Sequence, residues 1–309
     1  MREPVKPLAV KEGTKPPAVK EGTKPLAVKE GTKPLSVKEG TKPLAVKEGT
    51  KPLAVKEGTK PLAVKEGTKP LVVGVIIENV KKTAEAGKSL GADILEVRID
   101  LLLSKKRGFE KYLKGSVEEI RLHEQLEKWM NEAKCADLPV IATLRSREES
   151  GLFEGSENER FKIIEKLIPL ADYIDIERKS SKQNIFESYV AARKTNTKII
   201  ISSHYFDETP SQKKMKKVLK DSYEKGAFIS KIAVMPKNQK DILNLYQAGL
   251  NASGKTCLIA MGDLGKQSRI IAPAFGSILS YGYIHSNSAP GQMRVDEIKT
   301  AFKWLGWRD

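Results

Sequence analysis

Residues 228–236 read FISKIAVMP. Ile229, Ile232, Ala233 and Val234 give the stretch the composition of a buried β-strand. Lys231, in the middle of it, does not fit. Burying an ammonium costs on the order of several kcal/mol unless the group is paired or gives up its proton. Successive side chains of a strand point to opposite faces, so Lys231 stands opposite Ile232 and Val234. A strand with one apolar face and a charge on the other needs a fold in which that second face has a use.

Neighbouring runs repeat the pattern. In DILEVRI (93–99) Leu95, Val97 and Ile99 oppose Glu96 and Arg98. In PVIATLR (139–145) Val140, Ala142 and Leu144 oppose Thr143 and Arg145. DYIDIE (172–177) sets Ile174 and Ile176 against Asp175 and Glu177. KIIISSH (198–204) sets Ile199 and Ile201 against Ser202 and His204. Each time the second face turns polar toward the C-terminal end of the run. With LVVGVII (71–77), TCLIAMG (256–262) and ILSYGYI (278–284), the runs make eight predicted strands.

Amphipathic stretches at about 79–90, 110–134, 157–170, 182–194, 210–225, 238–250 and 264–275 separate them, and another at 294–306 follows. Thr209 before Pro210, and Ser156 with Glu159 three residues on, are helix-start signals. Strand–helix repeated eight times predicts an α/β fold, a (β/α)8 TIM barrel over 71–309. A doubly wound open sheet is the structural alternative, and the lack of a G-x-G-x-x-G after the first strand weakens its dinucleotide-binding form. In a barrel the apolar faces pack on the helix ring. The polar set then converges at the C-terminal mouth, where barrel active sites lie.

Residues 1–70 are of another kind. VKEGTKP occurs seven times at a spacing of nine, from Val10 to Val64. Lys, Glu, Gly and Pro recur without apolar periodicity, so the segment cannot offset its ordering entropy and is expected to be a disordered low-complexity tail. Each unit runs KPLAV or nearly so, and the last continues into the first strand, which suggests a tandem expansion of that lead-in. The tail contributes half of the net charge of +16. It has no aromatic residue on which a base would stack, which argues against nucleic acid as partner. The barrel's own positive charge suits a small anionic substrate. Cys135 and Cys257 form no metal or disulfide pattern. With no long apolar run and no signal segment, a cytoplasmic protein without membrane contact is expected.

A buried lysine near a histidine suggests amine catalysis. Desolvated beside cations such as Arg98 and Arg145, Lys231 would be a free amine able to form an imine with a ketone, and His204 would move protons at the adjacent carbon. The plainer readings are an ion pair of Lys231 with Glu177 or Glu96, and a His204 that merely caps a strand end. His123 reads as a surface residue. His285 follows the last strand and could line the mouth.

Taken together, these motifs resemble type I 3-dehydroquinate dehydratases, the lysine-imine lyases of the shikimate pathway, across 71–309. LEVRID is similar to the family's Glu-x-Arg, implying substrate contacts for Glu96 and Arg98. TLRSREESG implies a binding Arg145 and a Glu149 that orients the histidine. IIISSH implies catalytic His204, and KIAVMP the Schiff-base Lys231. MGDLGKQSRI implies Arg269 on the substrate carboxylate, and SAPGQ a lid with Ser288 and Gln292. Ser203 and Tyr205 depart from the family's usual neighbours of the histidine. The resemblance also implies a homodimer, and no metal or other cofactor, because a protonated imine is itself the electron sink. Another lysine-imine barrel enzyme such as a class I aldolase, or a scaffold acting through its basic tail, are the alternatives. MGDLGKQSR is too poor in glycine for an aldolase's phosphate cradle.

Overall fold

Each of the eight apolar runs becomes a strand in the computed structural model, which describes residues 69–105, 116–250, 252–287 and 289–307. The expected disordered tail, up to Thr68, and Ser288 lie outside the described residues. The strands are β1 (Leu71–Ile76), β2 (Ile94–Arg98), β3 (Val140–Thr143), β4 (Tyr173–Glu177), β5 (Lys198–Tyr205), β6 (Ile229–Val234), β7 (Lys255–Ala260) and β8 (Leu279–Tyr283). A two-residue β9 (Met293–Arg294) adds to β8. All pairings are parallel, in the order β7-β6-β5-β4-β3-β2-β1-β8-β9. The sheet curls until β7 meets β8. There it closes through one isolated bridge, Thr256 to Ser277, instead of a ladder. The Ile278 N–H donates to the Thr256 carbonyl at 2.8 Å, and the Leu258 N–H to Ser277 Oγ at 3.0 Å.

The helices are α1 (Val80–Ser89), α2 (Ile99–Ser104), α3 (Ser116–Lys134), α4 (Glu157–Leu167), α5 (Lys182–Thr195), α6 (Gln212–Glu224), α7 (Gln239–Leu250), α8 (Gly262–Gly265), α9 (Ser268–Ile271) and α10 (Val295–Trp304). Ser156 and Glu159 form the expected capping box of α4. The cap of α6 is Ser211, whose Oγ accepts from the Lys214 N–H at 3.3 Å. Thr209, expected there, donates instead to the Met235 carbonyl. The stretch 264–275 is not one helix. It breaks into α8, α9 and a 3-10 turn, Ala272–Phe275, with Pro273 in its first turn. Gly265 packs so closely on β7 that a Cβ there would lie 2.4 Å from the Ala260 backbone.

The alternation of the strands divides the core into two layers. Leu95, Val97, Val140, Ala142, Ile174, Ile176, Ile199 and Ile201 face outward into a cluster with α1, α3, α4 and α5. Ile232, Val234, Leu258 and Ala260 do the same beneath α6 and α7. Each such Ile or Leu contributes roughly 2 kcal/mol by leaving water. Inside the barrel, Val73, Ile94, Ile141, Ile200, Ile229 and Leu279 form an apolar plug toward the strands' N-terminal ends. Two residues further along, the inner face of β2 to β6 becomes polar.

Candidate active site

The inner face above the plug carries Glu96, Thr143, Asp175, Ser202 and Lys231 on five consecutive strands, all buried. Lys231 Nζ donates to Asp175 Oδ2 at 3.1 Å and stands 3.7 Å from Glu96 Oε1. The ion pair considered from the sequence is therefore realised. Its nearest partner is Asp175, and Glu177 is engaged elsewhere. Arg98 and Arg145, expected to crowd the lysine with positive charge, are each held by carboxylates. Arg98 makes a two-bond contact with Asp100, at 2.9 and 2.8 Å. Burial works against its charge, and Asp100 outweighs that, so the guanidinium is held above its ordinary value.

Arg145 is the hub of the acidic wall. Its Nη2 is 2.9 Å from Asp175 Oδ1, and its Nη1 donates to Ser202 Oγ at 2.8 Å. Glu177 and Glu149 stand 3.5 and 3.7 Å away. Burial opposes the charge, but Asp175, Glu177 and Glu149 more than offset it. The same logic acts on Asp175. Burial alone would raise its carboxyl, yet Arg145 and Lys231 hold it well below the usual carboxylate range.

Glu177 ties the loop after β3 to β4, accepting from the Ser146 N–H at 2.8 Å and from Ser146 Oγ at 2.7 Å. Arg160 of α4 braces it from outside, 3.3 Å from Glu177 Oε2 and donating to Ser180 Oγ at 2.8 Å. This strut fixes the 3-10 turn Arg147–Glu149, and through it Glu149. His204 Nδ1 lies 2.8 Å from Glu149 Oε2. Burial, then Arg145 and Lys231, push the imidazole well below its ordinary value, so it is neutral at neutral pH. Burial also pushes Glu149 up to about 7, against the pull of Arg145. Phe206 stacks on the imidazole at 5.9 Å between ring centroids.

Across a cavity of about 320 Å³ the lining is mostly apolar: Ala233, Ile259, Met261 and the ring of Tyr281, with Pro290 at the rim. The centroid of the Tyr281 ring lies 4.1 Å from Lys231 Nζ. Arg269 enters this wall from α9, 98% buried, and its Nε has no hydrogen-bond partner. No carboxylate acts on it among the described residues, and burial lowers it to about 10. Gln292 lines the cavity from the segment before β9, its Oε1 accepting from the Ala289 N–H at 3.2 Å.

Glu96, Arg98, Arg145, Glu149, His204, Lys231, Arg269 and Gln292 all line one cavity. His285 is exposed and not part of it, and His123 is a surface residue pairing with Glu127. Tyr205 packs outward on the apolar cluster beneath α6, with Lys214 over its ring, and Ser203 accepts from Arg178 Nε. Both therefore face away from the cavity. Sequence reasoning did not single out Asp175, Tyr281 or Phe206 as site residues. All three have the inward parity, which was the signal available.

The type I 3-dehydroquinase family model matches residues 71–309. The 3-dehydroquinate dehydratase of Methanosarcina acetivorans is 40% identical over 243 residues, covering 76% of this chain and 94% of its own. That of Methanocella arvoryzae is 37% identical, covering 74% and 94%. Among solved structures, the type I enzyme of Clostridium difficile, with covalently modified comenic acid, superposes with a TM-score of 0.67 at 29% identity over 77% of this chain and 93% of its own. The Aquifex aeolicus enzyme gives 0.65 at 31%, covering 76% and 98%.

Proposed function

The chain belongs to the type I 3-dehydroquinase family, and on that premise we propose that it dehydrates 3-dehydroquinate to 3-dehydroshikimate through a Schiff base on Lys231. One observation carries the reading. A buried lysine, a neutral histidine paired with a glutamate, and an arginine without a carboxylate line one cavity. An aldolase or a scaffold acting through its tail would leave this set without a purpose, and neither fits the family.

Arg269 holds the substrate carboxylate, because a guanidinium meets it through two parallel bonds and this one has no counter-charge among the described residues. Glu96 and Arg98, with Arg145 behind them, address the ring hydroxyls. Lys231 passes its proton to the acidic wall and attacks the ring ketone. The resulting iminium draws electrons from the adjacent carbon. His204 takes the proton there, using Nε2, since Nδ1 is committed to Glu149. It returns that proton to the departing hydroxyl, which leaves as water, and a water molecule then adds to the product iminium, restoring the ketone of 3-dehydroshikimate and freeing the Lys231 amine. Glu149 keeps the ring oriented and shares the charge of the imidazolium. Gln292, with Ser288 beside it in sequence, closes the mouth and keeps water from the imine.

On the same reading the substrate is a small anion, the assembly a homodimer and the location cytoplasmic. No helix among the described residues is long and apolar enough to cross a membrane. On this reading the catalytic domain is residues 71–309, with the repeat segment 1–70 outside it in sequence, and neither nucleic acid nor a membrane is a partner. The test is borohydride reduction in the presence of 3-dehydroquinate, followed by mass mapping. An adduct on Lys231, absent from Lys231→Ala along with all turnover, is expected. In the variant Asp175 and Glu96 lose a counter-charge, so Tm falls by a few degrees while the fold persists. An adduct elsewhere, or turnover in Lys231→Ala, sinks the reading.

A further inference from the structure

Tyr281 is a large aromatic residue on the inner face of β8, and its ring lies against the nitrogen of Lys231, with 4.1 Å between Nζ and the ring centroid. It is almost wholly buried, yet its ring borders the cavity. Its hydroxyl has no hydrogen-bond partner among the described residues. A buried phenol without a partner is a cost that a phenylalanine would avoid. What the side chain offers the site is therefore the face of its ring.

Asp175 and Glu96 approach the same nitrogen, at 3.1 and 3.7 Å. An ammonium has three N–H donors and can serve both. In the reaction proposed above, the ketone oxygen departs as water with two of those three hydrogens. Nitrogen gains its double bond to carbon, and the positive charge stays on it. The iminium keeps a single N–H, so the two carboxylates can no longer both be hydrogen-bonded to it. A ring face attracts the charge without needing an N–H. Its contribution survives the step in which the carboxylates lose theirs.

We propose that Tyr281 is a further catalytic residue, whose ring face stabilises the charged nitrogen of the lysine Schiff base. The inference rests on Lys231 forming that imine. The ring acts wherever nitrogen is cationic: on the resting ammonium, where Asp175 and Glu96 share the charge, and with a larger share in the iminium and the transition state leading to it from the neutral carbinolamine, where those carboxylates have lost N–H donors. It does nothing for the neutral amine or the neutral enamine. Its absence would thus show first in how much imine is present, ahead of any effect on substrate capture by Arg269.

The experiment is borohydride trapping with 3-dehydroquinate, read by intact mass beside steady-state kinetics, on the full chain. Wild type, Tyr281→Phe and Tyr281→Leu are compared, with circular dichroism and Tm as controls. Tyr281→Phe keeps the ring and should trap and turn over within about twofold of wild type. Tyr281→Leu should lose from about threefold to about thirtyfold in trapping rate and kcat, the span expected of a desolvated cation–ring contact, with KM little changed. Should Tyr281→Leu perturb the fold, phenylalanine at 281 with increasing ring fluorination preserves the shape while weakening the ring face. The rates should then fall in step with fluorine number. A Tyr281→Leu enzyme that traps like wild type, a Tyr281→Phe enzyme as impaired as Tyr281→Leu, or a flat fluorine series overturns the proposal. Wild type giving no adduct on Lys231 is a different failure, that of the imine reading itself.

Discussion

The two walls of the cavity solve the problem of buried charge in opposite ways. On the side built by β2 to β5, Arg145 is surrounded by Asp175, Glu177 and Glu149, and each of those acids has its own donors. On the side built by β7, β8 and the segment between them, Arg269 stands among Ile259, Met261 and Tyr281, with no acid acting on it among the described residues. The first wall is nearly complete as it stands, with Glu149 Oε1 its one buried oxygen left without a hydrogen-bond partner among the described residues. The second carries a guanidinium whose Nε has no hydrogen-bond partner among the described residues. A buried charge that is fully paired serves architecture and proton handling, and one left alone specifies what the cavity accepts.

The acidic wall's working end is tested most strongly at His204. His204→Ala should still form the imine, since that step is Lys231's, and then stall. Turnover should drop by roughly 10²–10⁴-fold or more, the usual contribution of a positioned acid–base group, while the borohydride adduct accumulates. Normal turnover in this variant would show that the base lies elsewhere on the wall.

The contrast between the arginines is sharpened by making the same change in both. Arg145→Met strands several carboxylates and should cost about 3–5 kcal/mol of stability, as broken buried ion pairs do. Arg269→Met removes an unpaired buried charge, so Tm should hold or rise. Its penalty falls on KM, by about 2–4 kcal/mol in binding, and Arg269→Lys should restore only part of it. Equal losses of Tm in the two variants would erase the distinction.

A smaller effect separates orientation from charge on the acidic wall. Glu149 is pushed up to about 7 by burial, whereas His204 is held well below its ordinary value. As pH falls through about 7, Glu149 takes a proton while the imidazole is still neutral. The carboxylate that orients Nδ1 is lost first, so kcat should decline on the acid side with a midpoint near 7, a titration that belongs to the pair. Glu149→Gln has nothing to titrate there and should flatten that limb at a lower plateau. An unchanged limb in Glu149→Gln would assign it to another group.

Much of this architecture is legible in the sequence, for a definite reason. Parity along a strand says which face a residue takes, and Glu96, Arg145, His204 and Lys231 follow from it together with the motifs. Parity does not say at what height one strand stands against the next. The register pairs Ser202 with Lys231 and Glu177 with Ser202, yet it is Asp175, two residues earlier on β4, that reaches the lysine, while Glu177 turns to Ser146 after β3. Of the two partners read from the sequence, Glu96 does stand against the lysine, while the nearer one, Asp175, was missed. Tyr281 was hidden differently: an aromatic residue in a strand reads as core until something charged is found against its face. Residues 99–104 escaped because a single turn and a half of helix directly after a strand has too little length for periodicity to register. The helix-start error at Thr209 came from Pro210, which marks a boundary without saying which neighbour supplies the capping oxygen.

The closure of the barrel has a consequence for how it breathes. Seven strand junctions around the barrel are ladders, while β7 and β8 meet through one bridge and a few side-chain bonds. Local opening starts where fewest backbone bonds must break. Amide hydrogens of β7 and β8 facing that junction are therefore the ones to exchange soonest with deuterated water in an otherwise protected barrel. Arg269 lies on the connection between these two strands, and Gln292 on the segment leaving the second. An anion gripped by both would splint the barrel along its loosest line, so that holding the ligand and holding the barrel shut become a single elastic event.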